Sequence, residues 1–164
     1  MIIILGEKKG ETGTLQEARL LYENSPSPIL LYGNTKEMKK SLLQEGVKEE
    51  HIIEGGELED TVSVAYKAKT EHFVPNNKKK GTVIIPDFRL ERVEYIFWKV
   101  FGNDYDLYFH GVASPGACGT KKIIKERQSE LNEKAKALLG RVEEGNHRAI
   151  KEILDDARRN GNIN

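Results

Sequence analysis

Cysteine is nearly missing: Cys118 is the single one in 164 residues. No intrachain disulfide can form, and a lone thiol in a chain of this length points to a reducing compartment. An excess of either charge is missing too, because 26 Lys and Arg balance 26 Asp and Glu. A balanced chain has no electrostatic pull toward a polyphosphate or an anionic bilayer, so nucleic acid is not expected as a partner. No apolar stretch approaches the ~20 residues that span a bilayer. The opening also lacks the basic segment and cleavage signal of a secretory leader. The expectation is a cytoplasmic protein with no membrane anchor in this chain. His51, His72, His110 and His147 have no Cys or His neighbour at metal-ligand spacing, so no metal site is expected. Internal repeats and low-complexity segments are absent as well.

What is present is an alternation of short apolar runs and helical patterns. Ile2 to Leu5 is a β-branched run of the kind buried on both faces of a sheet. Thr14 and Glu17 stand at capping-box spacing before Leu15, Ala18 and Tyr22 at helical intervals. Ile29 to Tyr32 reads as a second strand. Thr35 is placed to cap a helix carrying Met38 and Leu42, which stops near Gly46. A third strand is expected over His51–Glu54 and a helix over Thr61–Phe73. Asn76 to Gly81 reads as a solvated turn. A fourth strand (Thr82–Pro86), a helix over about Leu90–Phe101 with Trp98 and Phe101 in the core, and a fifth strand (Leu107–His110) follow. Strands alternating with helices imply crossover connections and a parallel sheet. After Thr120 no strand signal remains. Leu131, Ala135, Leu138 and Val142 form one apolar stripe, and Ile150, Ile153, Leu154 and Ala157 a second. The expected organisation is a single α/β domain over 1–164, with a sheet core to about residue 115 and two amphipathic helices over about 120–160.

The junction Val83-Ile84-Ile85-Pro86-Asp87-Phe88-Arg89-Leu90-Glu91-Arg92 carries the candidate site. An apolar run ends in a polar turn and a helical pattern starts at once. In an open α/β sheet, ligands bind at the carboxyl ends of strands, beside the amino end of the next helix and where strand order reverses. The first and fourth strands should therefore be neighbours, with Gly6 and Pro86 at their ends. Arg89 and Arg92 offer guanidinium forks suited to phosphate or carboxylate; the plainer reading is ion pairing with Asp87, Glu91 or Glu94. Asp87 either caps the following helix or serves as a general base. Gly6 and Gly33 follow strands, where a missing side chain suits a tight turn or the approach of a ligand. His110 ends the fifth strand and is read as structural, solvated or catalytic. The segment Gly6 to Gly13 matches neither the dinucleotide fingerprint nor a Walker A loop. Cys118 is a bystander thiol unless Lys121 or Lys122 activates it.

The order of these segments resembles the SanA/YdcF/ElyC-like family, over roughly Met1 to Pro115. The likeness rests on Leu5-Gly6, on Tyr32-Gly33-Asn34, and on Met38 followed by Gly46-Val47. It continues through Ile53-Glu54, Asp60-Thr61 and Ala65 to Asp87-Phe88 and Arg92. The family's histidine in the last motif is Arg89 here. The resemblance implies a Rossmann-like three-layer α/β/α sandwich with a mostly parallel sheet, five-stranded by the runs read above and followed by the C-terminal helical pair that the two stripes predict. It implies an anionic small ligand held by Gly6, Gly33, Thr61, Asp87, Arg89 and Arg92. That ligand would be a nucleotide-type or S-adenosylmethionine-type molecule, or a phosphorylated or carboxylated metabolite. Asp87 and His110 are the candidate catalytic groups, and whether the protein is an enzyme stays open at this stage. The alternative is a catalytically silent relative that uses its C-terminal helices for a homodimer or partner contact.

Overall fold

The computed structural model describes residues 1–6, 12–57, 60–113 and 121–159. Five strands form one all-parallel sheet: β1 (Ile2–Leu5), β2 (Ile29–Tyr32), β3 (Ile52–Gly56), β4 (Lys80–Pro86) and β5 (Asp106–Val112). Six α-helices occur among the described residues: α1 (Thr12–Asn24), α2 (Thr35–Gln44), α3 (Thr61–Lys67), α4 (Leu90–Phe101), α5 (Lys121–Leu139) and α6 (His147–Arg159). The strand order is β3-β2-β1-β4-β5. The chain builds outward from β1 to β3, then returns to the other side of β1 with β4. This is the Rossmann-like order, and the reversal falls between β1 and β4. Ile2, Ile3 and Ile4 lie opposite Ile29, Leu30 and Leu31 on one side and Thr82, Val83 and Ile84 on the other. The adjacency of first and fourth strands is as expected from the sequence.

The chain groups into two compact units. The first comprises Met1–Leu58, Lys80–Leu90 and Leu107–Cys118. Every residue of β1 and β2 is buried, which explains why both strands read as unbroken apolar runs rather than alternating ones. Ile2, Ile4, Ile29, Leu31 and Ile84 share one sheet face and pack with Ala18 and Tyr22 of α1 and Met38 and Leu42 of α2. Tyr22 reaches beyond this core, its hydroxyl 2.7 Å from Nδ1 of His51.

Two helix starts differ from the capping pattern. Helix α1 begins at Thr12, so Thr14 lies inside its first turn and is buried. The cause is close packing: a Cβ on Gly13 would stand 2.9 Å from Cγ1 of Val112, so the first turn rests on the end of β5. Helix α2 begins at Thr35 itself, with Asn34 at the cap position. The Thr35 hydroxyl donates instead to Glu54 of β3 at 3.0 Å, and Asn34 Nδ2 donates to Glu37 at 2.6 Å.

The second unit comprises Glu59–Lys79, Glu91–Asp106 and Gly119–Asn164. Asp60 caps α3 by accepting the Ser63 amide at 2.8 Å. The helix expected to run to Phe73 is α-helical only to Lys67 and continues as a π turn over Ala68–Phe73. That turn carries Lys69, which is 3% exposed. Its ammonium donates to the carbonyls of Val100 and Phe101 at 2.8 and 2.9 Å, and so closes the C-terminal end of α4. Phe73, Phe97, Phe101 and Tyr105 form an edge-to-face and stacked cluster beside it. Lys79, expected to be merely solvated, lies over the Tyr105 ring at 4.3 Å from its centroid.

Two core assignments are corrected here. Helix α4 buries Val93, Ile96, Phe97, Val100 and Phe101, an i, i+3, i+4, i+7, i+8 stripe, and Trp98 falls outside that arc at 55% exposed. In α5 the buried position is Leu139, whereas Leu138 is exposed, so the stripe runs Ala135, Leu139, Val142. Helix α6 buries Ile150, Leu154 and Ala157 as its periodicity predicts.

Candidate functional site

The carboxyl edge of the sheet in the first unit gathers five of the sequence-derived candidates: Gly6 after β1, Gly33 after β2, Asp87 and Arg89 after β4, and His110 in β5. Thr61, the first residue of α3, and the half-buried Arg92 belong to the second unit.

Gly6 and Gly33 are explained by the protein's own packing. The Gly6 amide donates to the Tyr32 carbonyl and the Gly33 amide to the Gly56 carbonyl, both at 3.0 Å. Gly33 has φ +120°, and a Cβ there would lie 2.8 Å from the Gly6 carbonyl oxygen. Neither amide is therefore left to donate to a ligand. What these glycines provide is a low, close-packed floor at the ends of β1 and β2.

Beyond β4 the chain does not enter α4 directly. A 3-10 turn over Asp87–Arg89 intervenes, with Pro86 at its cap position and no side-chain cap bond. Asp87 is thus the first residue of that turn and exposed, not the cap of α4. A carboxylate in a first turn still meets the positive end of the peptide dipoles. Arg89, at the end of the turn, is 7% exposed. An arginine this buried is held in place by its surroundings. A Cβ on Gly111 would lie 3.3 Å from Cα of Asp87, so the end of β5 packs closely on this turn. Asp87 and the residue after His110 are therefore neighbours, which brings both proposed general bases to one edge.

His110 has a partner that the sequence did not reveal. Its Nε2 stands 3.5 Å from Oε1 of Glu17 on α1. Glu17 had a different expected role, as the return half of a capping box with Thr14. Because the helix starts three residues earlier, at Thr12 rather than Leu15, Glu17 sits one turn further in and faces β5. A carboxylate beside an imidazole orients the ring. No local pattern announces a pair 93 positions apart; the signals were a histidine at a strand end and a half-buried glutamate in a helix facing it.

Among the described residues no three His, Cys, Asp or Glu side chains come together to hold a metal ion. The segment Gly6 to Gly13 includes residues 7–11, and Cys118 lies in 114–120; both stretches fall outside the described residues, as do the side chains of Lys121 and Lys122. No helix among the described residues is long and apolar enough to cross a membrane. No family model, no curated protein and no solved structure matches this chain. The chemistry has to be argued from the geometry: a buried guanidinium and an exposed carboxylate on a turn at the strand-order reversal, next to a histidine–glutamate pair.

Proposed function

We propose that this protein binds an anionic small ligand, nucleotide-type or a phosphorylated or carboxylated metabolite, at the carboxyl ends of β1 and β4. The observation that carries the reading is the strand order β3-β2-β1-β4-β5, which puts the reversal point between those strands. The 3-10 turn Asp87–Arg89 follows β4, and the amino end of the 12-residue α4 follows that turn. Backbone amides at such a helix end favour negative charge. Arg89, the last residue of that turn, supplies the fork, and Gly6 and Gly33 keep the ends of β1 and β2 low. The segment order that resembles the SanA/YdcF/ElyC-like family supports the same reading. If the site is catalytic, His110 oriented by Glu17 is the general acid–base, with Asp87 as the second carboxylate.

A thermal-shift screen of nucleotides, S-adenosylmethionine, sugar phosphates and dicarboxylates tests this. A ligand at 100 times its Kd adds about 2.7 kcal/mol to stability. Arg89→Lys keeps the charge but loses the fork, and Arg89→His restores the residue of the resembled family. A charge-assisted hydrogen bond is worth about 1.5–3 kcal/mol, so Arg89→Lys should weaken an anionic ligand about ten- to hundredfold while the circular dichroism spectrum stays unchanged. Absence of any stabilising anion, or unchanged affinity in the folded variant, contradicts the proposal.

A further inference from the structure

The last four carbonyls of a helix have no partner within it unless the following chain or another element supplies one. At the C-terminal end of α4 each has one. The Gly102 amide donates to the Trp98 carbonyl and the Gly145 amide to the Lys99 carbonyl, both at 2.9 Å. Lys69 holds the carbonyls of Val100 and Phe101. The loop between α5 and α6 thus supplies one of these caps, and it lies close. A Cβ on Gly102 would stand 3.0 Å from Cα of Gly145, and Nζ of Lys99 donates to the Val142 carbonyl at 3.2 Å.

His147 follows Gly145 by two residues and opens α6. Asn146 caps that helix, its side chain accepting the Ala149 amide at 3.1 Å. His147 is half-buried, with its ring centroid 6.2 Å from that of Tyr66 of α3 and the planes at 67°. From the elements packed against it, Tyr66 of α3 and Lys69 of the π turn face the ring. A proton there is opposed by lost hydration first and by the Lys69 ammonium second. The amino end of α6 adds the positive end of its peptide dipoles. The Tyr66 ring offers a cation some attraction, yet the balance holds His147 below the ordinary histidine range.

We propose that α6 and the loop before it form an acid-released arm, which protonation of His147 lifts from α3 and from the end of α4. The arm moves rather than the lysine because of how each is held. Lys69 is tied by two hydrogen bonds and lies over the rings of Phe101 and Tyr105. Helix α6 is held through Ile150, Leu154 and Ala157. Lifting its first turn draws the nearby Gly145 amide off the Lys99 carbonyl, so one titrating ring opens both contacts. The released ring takes its proton in the ordinary histidine range and the docked ring only at lower pH. Opening therefore grows as pH falls through that interval and levels off below the docked value. At neutral pH the arm is docked. The inference stands independently of the ligand proposal.

Hydrogen exchange of the full chain, corrected for intrinsic rates, reads the arm at about pH 7.5 and about pH 4.5. The amides of α6 and Gly145 should lose protection on acidification while those of β1 and β2 keep theirs. The opening constant should rise about tenfold for each unit separating the docked and released pKa values of His147. The ring resonances of His147 give the docked value separately, so the two readings must agree. His147→Phe keeps a ring against Tyr66 but cannot titrate, and should leave α6 protected at acid pH. His72→Phe should leave the acid release unchanged. Should His147→Phe not fold, the wild-type exchange and ring titration still decide. A His147 midpoint at or above the ordinary histidine range overturns the inference. So does an acid loss of protection equal in α6 and the sheet, one that persists in folded His147→Phe, or one that disappears in His72→Phe.

Discussion

The two units of this chain are held by different chemistry. In the first, fully apolar strands are paired in register and two glycines let β1 and β2 end against each other, backbone on backbone. In the second, α3, the π turn and α4 meet around a phenylalanine–tyrosine cluster and a buried lysine that closes a helix end. The first unit is specified mainly by backbone geometry. The second depends on a few polar and ionisable side chains placed inside it. A sheet core of that kind should respond little to pH, whereas a helical core with Lys69, His72 and His147 should respond strongly.

The largest expected effect comes from Lys69→Met. The substitution keeps an unbranched apolar stem but removes both donors to the Val100 and Phe101 carbonyls. Leaving buried acceptors unpaired costs about 1–3 kcal/mol, readable as a lower urea midpoint at pH 7. Hydrogen exchange should show the loss at α4 and the π turn before it shows in β1 and β2. Equal loss of protection in both units would erase the contrast.

A smaller effect is expected from pH. Burial pushes Lys69 down to about 8. Below about pH 8 the folded and unfolded chains both carry the proton. Between about 8 and the ordinary lysine value the unfolded chain holds a proton that the folded one has shed, so stability rises with pH in that window. A neutral amine retains two N–H donors, enough for both carbonyls. Burial also holds His72 and His147 below the ordinary histidine range, and the Lys69 charge adds to the effect on His147. There the unfolded chain takes up protons first on acidification, so stability falls as pH drops through the histidine range and levels off below the folded values. Urea melts across pH 5–10 check both signs. In Lys69→Met the alkaline rise should vanish and the acid loss should persist.

The contrast also explains what was legible in the sequence. The bounds of β1, β2 and α4 follow from apolar runs and turn residues alone, because the strands are buried on both faces and α4 carries a clean stripe. Reversal of strand order at β1 and β4 was legible for the same reason. The π turn was not, since Lys69 sits in a pattern that otherwise reads as ordinary helix, and only the distant carbonyls of α4 account for its burial. Trp98 and Leu138 look like core by composition and lie one position away from the residues that face inward. At the candidate site the sequence located the edge of the sheet but not its pairings. Thr14 and Glu17 satisfy a capping spacing locally, yet packing of Gly13 on Val112 moves the helix start and frees Glu17 for His110. Asp87 looked like a cap because the 3-10 turn between β4 and α4 has no signature beyond Pro86.

The central claim, an anion site at the carboxyl ends of β1 and β4, is tested most directly by titrating the ¹⁵N-labelled protein with the most stabilising ligand from the screen and following its amide resonances. The account predicts the largest shifts at Gly6, Gly33 and Asp87 to Leu90, with His110 responding through its ring resonances. Saturable shifts confined to other residues, with these unchanged, would contradict it.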